Sequence, residues 1–380
     1  MFKFLLRIAL PIAALCAVAC DDEDSGVSAP KASSVTSDSV YVRDSVRLVD
    51  SVRTVTRTVD SVVVIDSVNV IDSVNIVDSV RVIDSVHVVD SVVVRDSVAV
   101  HGVEFYLGEC TADNAEVIKA TTINGVERHY ICDSKTLLWR IPDAGDWNAF
   151  YIAQSAVKEF TPLQTVVGNL AEGEKLVIIL RHAERGDNTS ITGTLNDNGK
   201  KQSEELGEEL ASDVEFYYGA SQFVRAHQTC NFIAKGRGEA DTLADTVFAL
   251  NDLWYVKDTA AFKKVREEKG GWDVGSKWAY ENAYSECFYD LEARSTELLD
   301  EHVIPALEKS GKPVGLFVSH DMLVVTLVVY ASMKNVDLKY YQSSSRKWLN
   351  YLAGIAIVIK PDGTRIFYAV NGLESATMTM

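Results

Sequence analysis

Two points in the chain set a histidine directly behind a short apolar run. Leu-Val-Ile-Ile-Leu at 176–180 is followed by Arg181 and His182, and Val-Gly-Leu-Phe-Val at 314–318 is followed by Ser319 and His320. A continuous apolar run of this length reads as a strand buried on both faces. In an open α/β sheet, ligands gather beyond the carboxyl ends of such strands, so both imidazoles are expected on one rim. A lone histidine at a strand end is usually structural. An Arg-His pair arises by chance only about once per thousand residues of average composition, so the surrounding pattern must decide.

The elements that would hold these residues alternate between strand and helix from about 174 to 372. Helices are expected at 198–210, 226–235, 287–309 and 322–333. Alternation of this kind predicts an α/β fold, a three-layer α/β/α sandwich around a mainly parallel sheet.

Four fragments carry a family resemblance: LRHAER at 180–185, LNDNGKKQ at 195–202, SQFVRAHQT at 221–229 and FVSHD at 317–321. In order, spacing and element type they resemble the histidine phosphatase superfamily, with its phosphoglycerate-mutase-like fold, over about 200 residues. The departure is Ala183, where many members have Gly. The resemblance implies that His182 accepts a phosphoryl group and that His320 is its partner. The chemistry agrees with those roles, because a transferring phosphoryl group spreads negative charge that a metal-free site must meet with fixed cations. Arg181 and Arg225 supply bidentate forks, and Arg185 matches a further arginine of the phytase-like branch. Neighbouring guanidinium groups keep the attacking imidazole neutral.

A leaving alkoxide needs a proton donor. Asp321 follows His320, as in the His-Asp pair of the phytase-like branch, and is the preferred acid. Asp252, in LND at 250–252, matches instead the Leu-Asn-Glu of the mutase branch, and Glu286 is a third candidate. The expected activity is metal-independent hydrolysis of a phosphate monoester through a phosphohistidine. The rival is an inactive phosphatase fold serving as an envelope binding protein. No cofactor is expected, and the histidines at 182, 227, 302 and 320 show no metal-ligand spacing. Between 252 and 284, Trp254, Tyr255, Trp272 and Trp278 suggest either an aromatic substrate wall or packing.

The remainder of the chain bears on location. A net charge of −17 and a pI near 4.9 argue against nucleic acid as a partner. Residues 1–20 show Lys3 and Arg7, an apolar run, small residues and then Cys20, the layout of an export signal. The small residues before Cys20 resemble a bacterial lipobox, implying a lipid anchor on Cys20 and a cell-envelope location. A glycolytic mutase substrate would not be met there. From 38 to 98 the tripeptide Asp-Ser-Val occurs ten times, with a six-residue spacing broken once. Six suits a strand and not a helix, so Val68, Val70, Asp72, Val74, Ile76 and Asp78 would share one strand face. The tract, 21–100 with its acidic linker, is read as a stalk: a spacer, or a β structure able to self-associate. Fully extended, it would reach on the order of 200 Å.

Residues 101–146 form a small β module in which Asn124-Gly125 signals a hairpin. Cys110 and Cys132 are expected on its two strands and, in an oxidising compartment, joined by a disulfide. Residues 147–173 read as a linker before the domain at 174–375. Cys230 and Cys287 either pair or stay buried.

Overall fold

The computed structural model describes short strands between 45 and 100, and residues 103–123, 125–239, 244–344 and 346–379. The export segment and Cys20 lie outside the described residues. The chain divides into two compact units, 1–98 and 99–380.

In the first unit, the described strands pair in parallel. Val68–Val70 aligns with Val86–Val88, and Val74 with Val92, an offset of 18 residues. Thr58–Val64 and Val74–Val82 pair too, with Ser61 facing Ser79. Three six-residue repeats make 18, so in these pairs a repeat lies against its own kind and the backbone groups of the described strands find partners. These strands therefore do not run as one extended stretch, and the 200 Å reach does not apply to them.

The second unit opens with the small module. Strands β1 (Ile118–Ile123) and β2 (Val126–Cys132) form an antiparallel hairpin. Gly125 sits at φ +80°, a conformation that favours glycine, within the turn. A disulfide joins Cys110 to Cys132. Cys132 ends β2, but Cys110 lies in a loop and not on a neighbouring strand, a correction to the sequence reading. The module buries only a handful of residues, among them Val103, Tyr130, Cys132 and Trp139.

Residues 147–173 are not a linker. Helix α1 (Ala144–Ser155) is capped by Asp143, which accepts from the Asp146 N–H, and β3 (Phe160–Pro162) joins the central sheet, followed by α2 (Leu163–Gly168). Buried Asn148 donates to Asp300 at 2.8 Å and accepts from Arg365 at 2.6 Å, which welds α1 to the sheet. The polar surface of this stretch concealed the few apolar residues that decide its place: Ile152, Leu163 and Val166 are buried.

The remaining elements are β4 (Lys175–Arg181), α3 (Asp197–Glu209), β5 (Phe216–Ala220), α4 (Val224–Gly236), β6 (Asp245–Thr246), α5 (Thr259–Lys269), α6 (Gly271–Glu281), α7 (Leu291–Glu297), α8 (Ile304–Ser310), β7 (Val314–Ser319), α9 (Asp321–Ala331), β8 (Lys347–Leu349), β9 (Gly354–Ile359), β10 (Arg365–Asn371) and β11 (Thr377–Thr379). The single helix expected at 287–309 is instead α7 and α8 joined by a π-helical turn, Leu298–Val303. The sheet order is β3-β10-β9-β4-β7-β5-β6, with β9 alone antiparallel to its neighbours, so the α/β, mainly parallel reading describes it. Strand β4 shows why the sheet has three layers. Val177 and Ile179 pack on one side with Val274, Trp278 and Leu323, while Leu176, Ile178 and Leu180 pack on the other with Leu206 and Ile233. All five are fully buried, and each contributes about 2 kcal/mol of apolar burial.

Candidate active site

Four adjacent parallel strands end on one rim, and each supplies part of the site. Strand β4 ends in Arg181 and leads to His182, β7 leads to His320, β5 leads through Ser221 to Arg225 at the start of α4, and β6 leads to Asp252. Backbone bonds lock these ends together. The His182 N–H donates to the Ser319 carbonyl at 2.9 Å and the Ser221 N–H to the Val318 carbonyl at 3.0 Å. The Ala183 N–H is held by Thr229 Oγ1 at 3.1 Å. Helix α3 passes so close to Glu184 that a Cβ on Gly199 would stand 2.0 Å from the Glu184 carbonyl oxygen.

His182 and His320 meet with ring centroids 5.3 Å apart. Arg225 bridges them: its Nε donates to His182 Nε2 at 3.1 Å, and its Nη2 to His320 Nδ1 at 3.2 Å. A guanidinium can only donate, so both imidazole nitrogens facing it are lone-pair nitrogens. The other nitrogens carry the protons. His182 Nδ1 donates to the Ala183 carbonyl at 2.7 Å, and His320 Nε2 to Ser221 Oγ at 2.8 Å. His182 is thus a neutral imidazole with Nε2 directed at Arg225. Burial first, then His320 and Arg181, pushes its pKa well below the ordinary histidine value. His320 falls to about 3, again through burial and then Arg225.

The four groups are almost inaccessible: Arg181 and His182 are 3% exposed, His320 2% and Arg225 6%. Charged groups this deep need partners. Arg225 Nη1 donates to the Ser190 carbonyl at 3.0 Å, on a loop closed by Gly193, where a Cβ would stand 2.0 Å from the Asn188 carbonyl oxygen. Arg181 pairs with Asp321 at 3.3 Å and lies 4.2 Å from the Tyr351 ring centroid. Its Nε is buried without a hydrogen-bond partner, as is Asp252 Oδ1. These two atoms, one donor and one acceptor, are buried in the site without a protein partner.

The two acid candidates differ sharply. Asp321 Oδ1 accepts from the Met322 N–H at 2.9 Å and Oδ2 from Trp348 Nε1 at 3.2 Å, while Oδ2 also forms the ion pair with Arg181. Asp252 is pushed up to about 7, by burial first and then by the charge of Asp321, against the pull of Arg225. Arg185 is half-buried at the rim, donates to the Gly186 carbonyl at 2.9 Å, and acts through its charge on Arg225 and His320. Glu286 stands exposed before Cys287 and makes none of the site's hydrogen bonds.

The aromatic segment is mostly packing. Trp278 stacks on Phe288 at 4.3 Å inside the core and Tyr255 bonds Ser295 at 2.8 Å, while Trp272 stacks at 5.2 Å on Trp348. Trp254 lines a surface cavity with Phe248, His302 and Pro305 that none of the site residues enters. Cys230 and Cys287 are both buried and unpaired.

Residues beyond the sequence reading complete the shell. Phe223 lies 4.3 Å from the His320 ring and 4.4 Å beneath Arg225. Ser221, Phe223 and Thr229 sat within the SQFVRAHQT fragment and were within reach of sequence reasoning. Trp348 and Tyr351 carried no such signal. Among the described residues, Glu297, Glu301 and His302 bring ligand atoms within 4.8 Å of one another, because a π-helical turn aligns positions four and five apart. Glu297 is already paired with Arg294.

Residues 177–348 match the family model of the histidine phosphatase superfamily (branch 1). Among solved structures, similarity extends to a phosphoglycerate mutase from Bacillus anthracis, at 19% identity and a TM-score of 0.34, covering 52% of this chain and 93% of that one. It extends also to the protein histidine phosphatase SixA complexed with tungstate, at 17% identity and 0.30, covering 54% and 96%. A phosphoserine phosphatase variant from Entamoeba histolytica in complex with phosphoserine is 16% identical with a TM-score of 0.35, covering 52% and 96%. No curated protein matches the chain. At residues 177–348, this chain carries a domain of the histidine phosphatase superfamily.

Proposed function

We propose that the protein is a phosphomonoesterase that works through a phosphohistidine on His182. The observation that carries this reading is the neutral His182 imidazole, whose Nε2 lone pair faces the Arg225 guanidinium that also holds His320. In the first step Arg225 Nε turns its N–H from His182 Nε2 to a phosphoryl oxygen, the freed Nε2 lone pair attacks phosphorus, the N–P bond forms and the P–O bond to the leaving group breaks. Asp252 gives its proton to the departing oxygen, a role suited to a carboxyl held near neutral pKa. In the second step Asp252, now ionised, takes a proton from water as that water attacks phosphorus and the N–P bond breaks. Arg181, Arg225 and, from the rim, Arg185 meet the charge on the equatorial oxygens, and His320 holds Arg225 in place through its Nδ1 lone pair. The substrate is a small phosphorylated molecule. In the same reading, Cys20 carries the lipid anchor that places the enzyme at the cell envelope, and the repeat tract separates the two or joins copies through its strands.

The test is hydrolysis of p-nitrophenyl phosphate by the full chain in excess chelator, with acid-labile, base-stable phosphate trapped on the protein in a rapid quench. Wild-type protein that turns over no ester from pH 4 to 8 would instead support a phosphatase fold retained for binding.

A further inference from the structure

The pairing of His320 with Asp321 invites a proton-donating role for that aspartate, yet the contacts around it describe a different task. Each oxygen of Asp321 is already an acceptor, Oδ1 for the Met322 N–H and Oδ2 for Trp348 Nε1, and Oδ2 also forms an ion pair with Arg181. Both oxygens are thus engaged as acceptors, and Oδ2 faces the Arg181 cation, which favours the ionised form over a proton donor. Arg181, by contrast, is gripped from three sides. Nη1 donates to the Leu349 carbonyl, Nη2 meets Asp321, and the Tyr351 ring lies 4.2 Å from the guanidinium carbon. Trp348 is itself fixed, 1% exposed and packed against Trp272 and Tyr340. What this grip leaves unused is the buried Nε of Arg181.

We propose that Asp321, Trp348 and Tyr351 are positioning residues that clamp Arg181 so that its free Nε–H is fixed for a phosphoryl oxygen. The clamp rests on the phosphatase reading and assigns Asp321 to substrate binding through Arg181, leaving proton transfer to Asp252. Its physical basis is pre-organisation. A guanidinium held before the ligand arrives loses little freedom on binding, and one whose counter-charge is removed must be re-ordered by the substrate. Asp321 is nearly as large as Asn, so Asp321→Asn keeps the shape and one acceptor oxygen while removing the charge that faces Arg181.

The experiment compares Asp321→Asn, Trp348→Phe and Tyr351→Leu with wild type in the full chain. It reads kcat and KM on p-nitrophenyl phosphate and on glycerol phosphate, which has a far poorer leaving group, together with phosphate affinity by calorimetry. The clamp predicts that Asp321→Asn weakens phosphate binding about tenfold or more, since bonds to buried charged groups are worth ten- to a hundredfold. It also predicts that KM rises by the same factor on both esters and that the alkaline limb of the pH profile stays in place. Trp348→Phe and Tyr351→Leu weaken binding in the same direction by a smaller factor. If Asp321→Asn spares p-nitrophenyl phosphate, loses a hundredfold on glycerol phosphate and abolishes the alkaline limb, Asp321 is the acid and the clamp is wrong. Unchanged phosphate affinity in all three variants also overturns it. Should Asp321→Asn fail to fold, Tyr351→Leu, at a half-exposed position, decides by the same binding readout. A wild-type protein that binds phosphate but hydrolyses neither ester refutes the enzymatic reading, while calorimetry still judges the clamp.

Discussion

The small module and the central sheet, both within residues 99–380, hold themselves together by opposite means. The module buries a few side chains around Trp139 and is tied by the Cys110–Cys132 bond, which closes a loop of 22 residues. The sheet is covered on both faces, and its core is large enough to enclose two imidazoles and two guanidinium groups at one edge. Burial of charge is costly unless partners are supplied. The comparison teaches that an extensive core lets a fold keep a buried polar site, whereas a small one needs a covalent tie merely to persist.

If that contrast is right, changes in the site should cost activity and changes in the module should cost stability. The largest effect is expected from His182→Ala, which should lower kcat on p-nitrophenyl phosphate by roughly four orders of magnitude or more, with the melting temperature nearly unchanged. Arg225→Lys comes next, at about a hundred- to a thousandfold in kcat/KM, because an ammonium cannot donate to His182 and His320 together while also reaching the Ser190 carbonyl. A large loss of melting temperature in either variant would show that the site holds up the sheet, and would break the comparison.

The third test is pH. Asp252 must be protonated to act as the acid and is raised to about 7, so activity should be full below that value and fall about tenfold per pH unit above it. On the acid side His182, depressed well below the ordinary histidine range, stays neutral and nucleophilic, so no matching loss is expected near pH 6.5. Asp252→Asn should flatten the alkaline limb and cost about a hundredfold or more on alkyl esters. A limb that survives this substitution would exclude Asp252 as its source. The smallest effect on catalysis is expected from Cys110→Ser, which should destabilise the module by about 2–4 kcal/mol in urea while leaving kcat within twofold. If activity collapsed with it, the module would belong to the site's support and the two regions would not be separable.

Much of the site was legible because its signals are local. A run such as Leu176 to Leu180 announces a buried strand by composition alone, and the residues just behind it, Arg181 and His182, inherit a place on the rim. The same holds for Ser319 and His320 after the second run. The helices around Arg225 and behind Asp321 were readable from patterns a few residues long. Residues 147–173 were not, because Phe160–Pro162 earns its place in the sheet only by pairing with Ala369, Val370 and Asn371, far along the chain. The break at Leu298–Val303 was hidden too, since apolar spacing does not distinguish a π-helical turn from an α-helix.

The sequence by itself singled out the candidate groups: two histidines at strand ends, the arginines beside and between them, and a short choice of carboxyls. Tertiary structure alone set the environments of those carboxyls apart, because their difference lies in neighbours and not in identity. Asp321 meets Arg181, 140 residues before it in the chain, and the indole of Trp348, while Asp252 meets burial and a like charge. A side chain's type is written in the chain, but the donors, charges and water around it are set only when distant segments pack together.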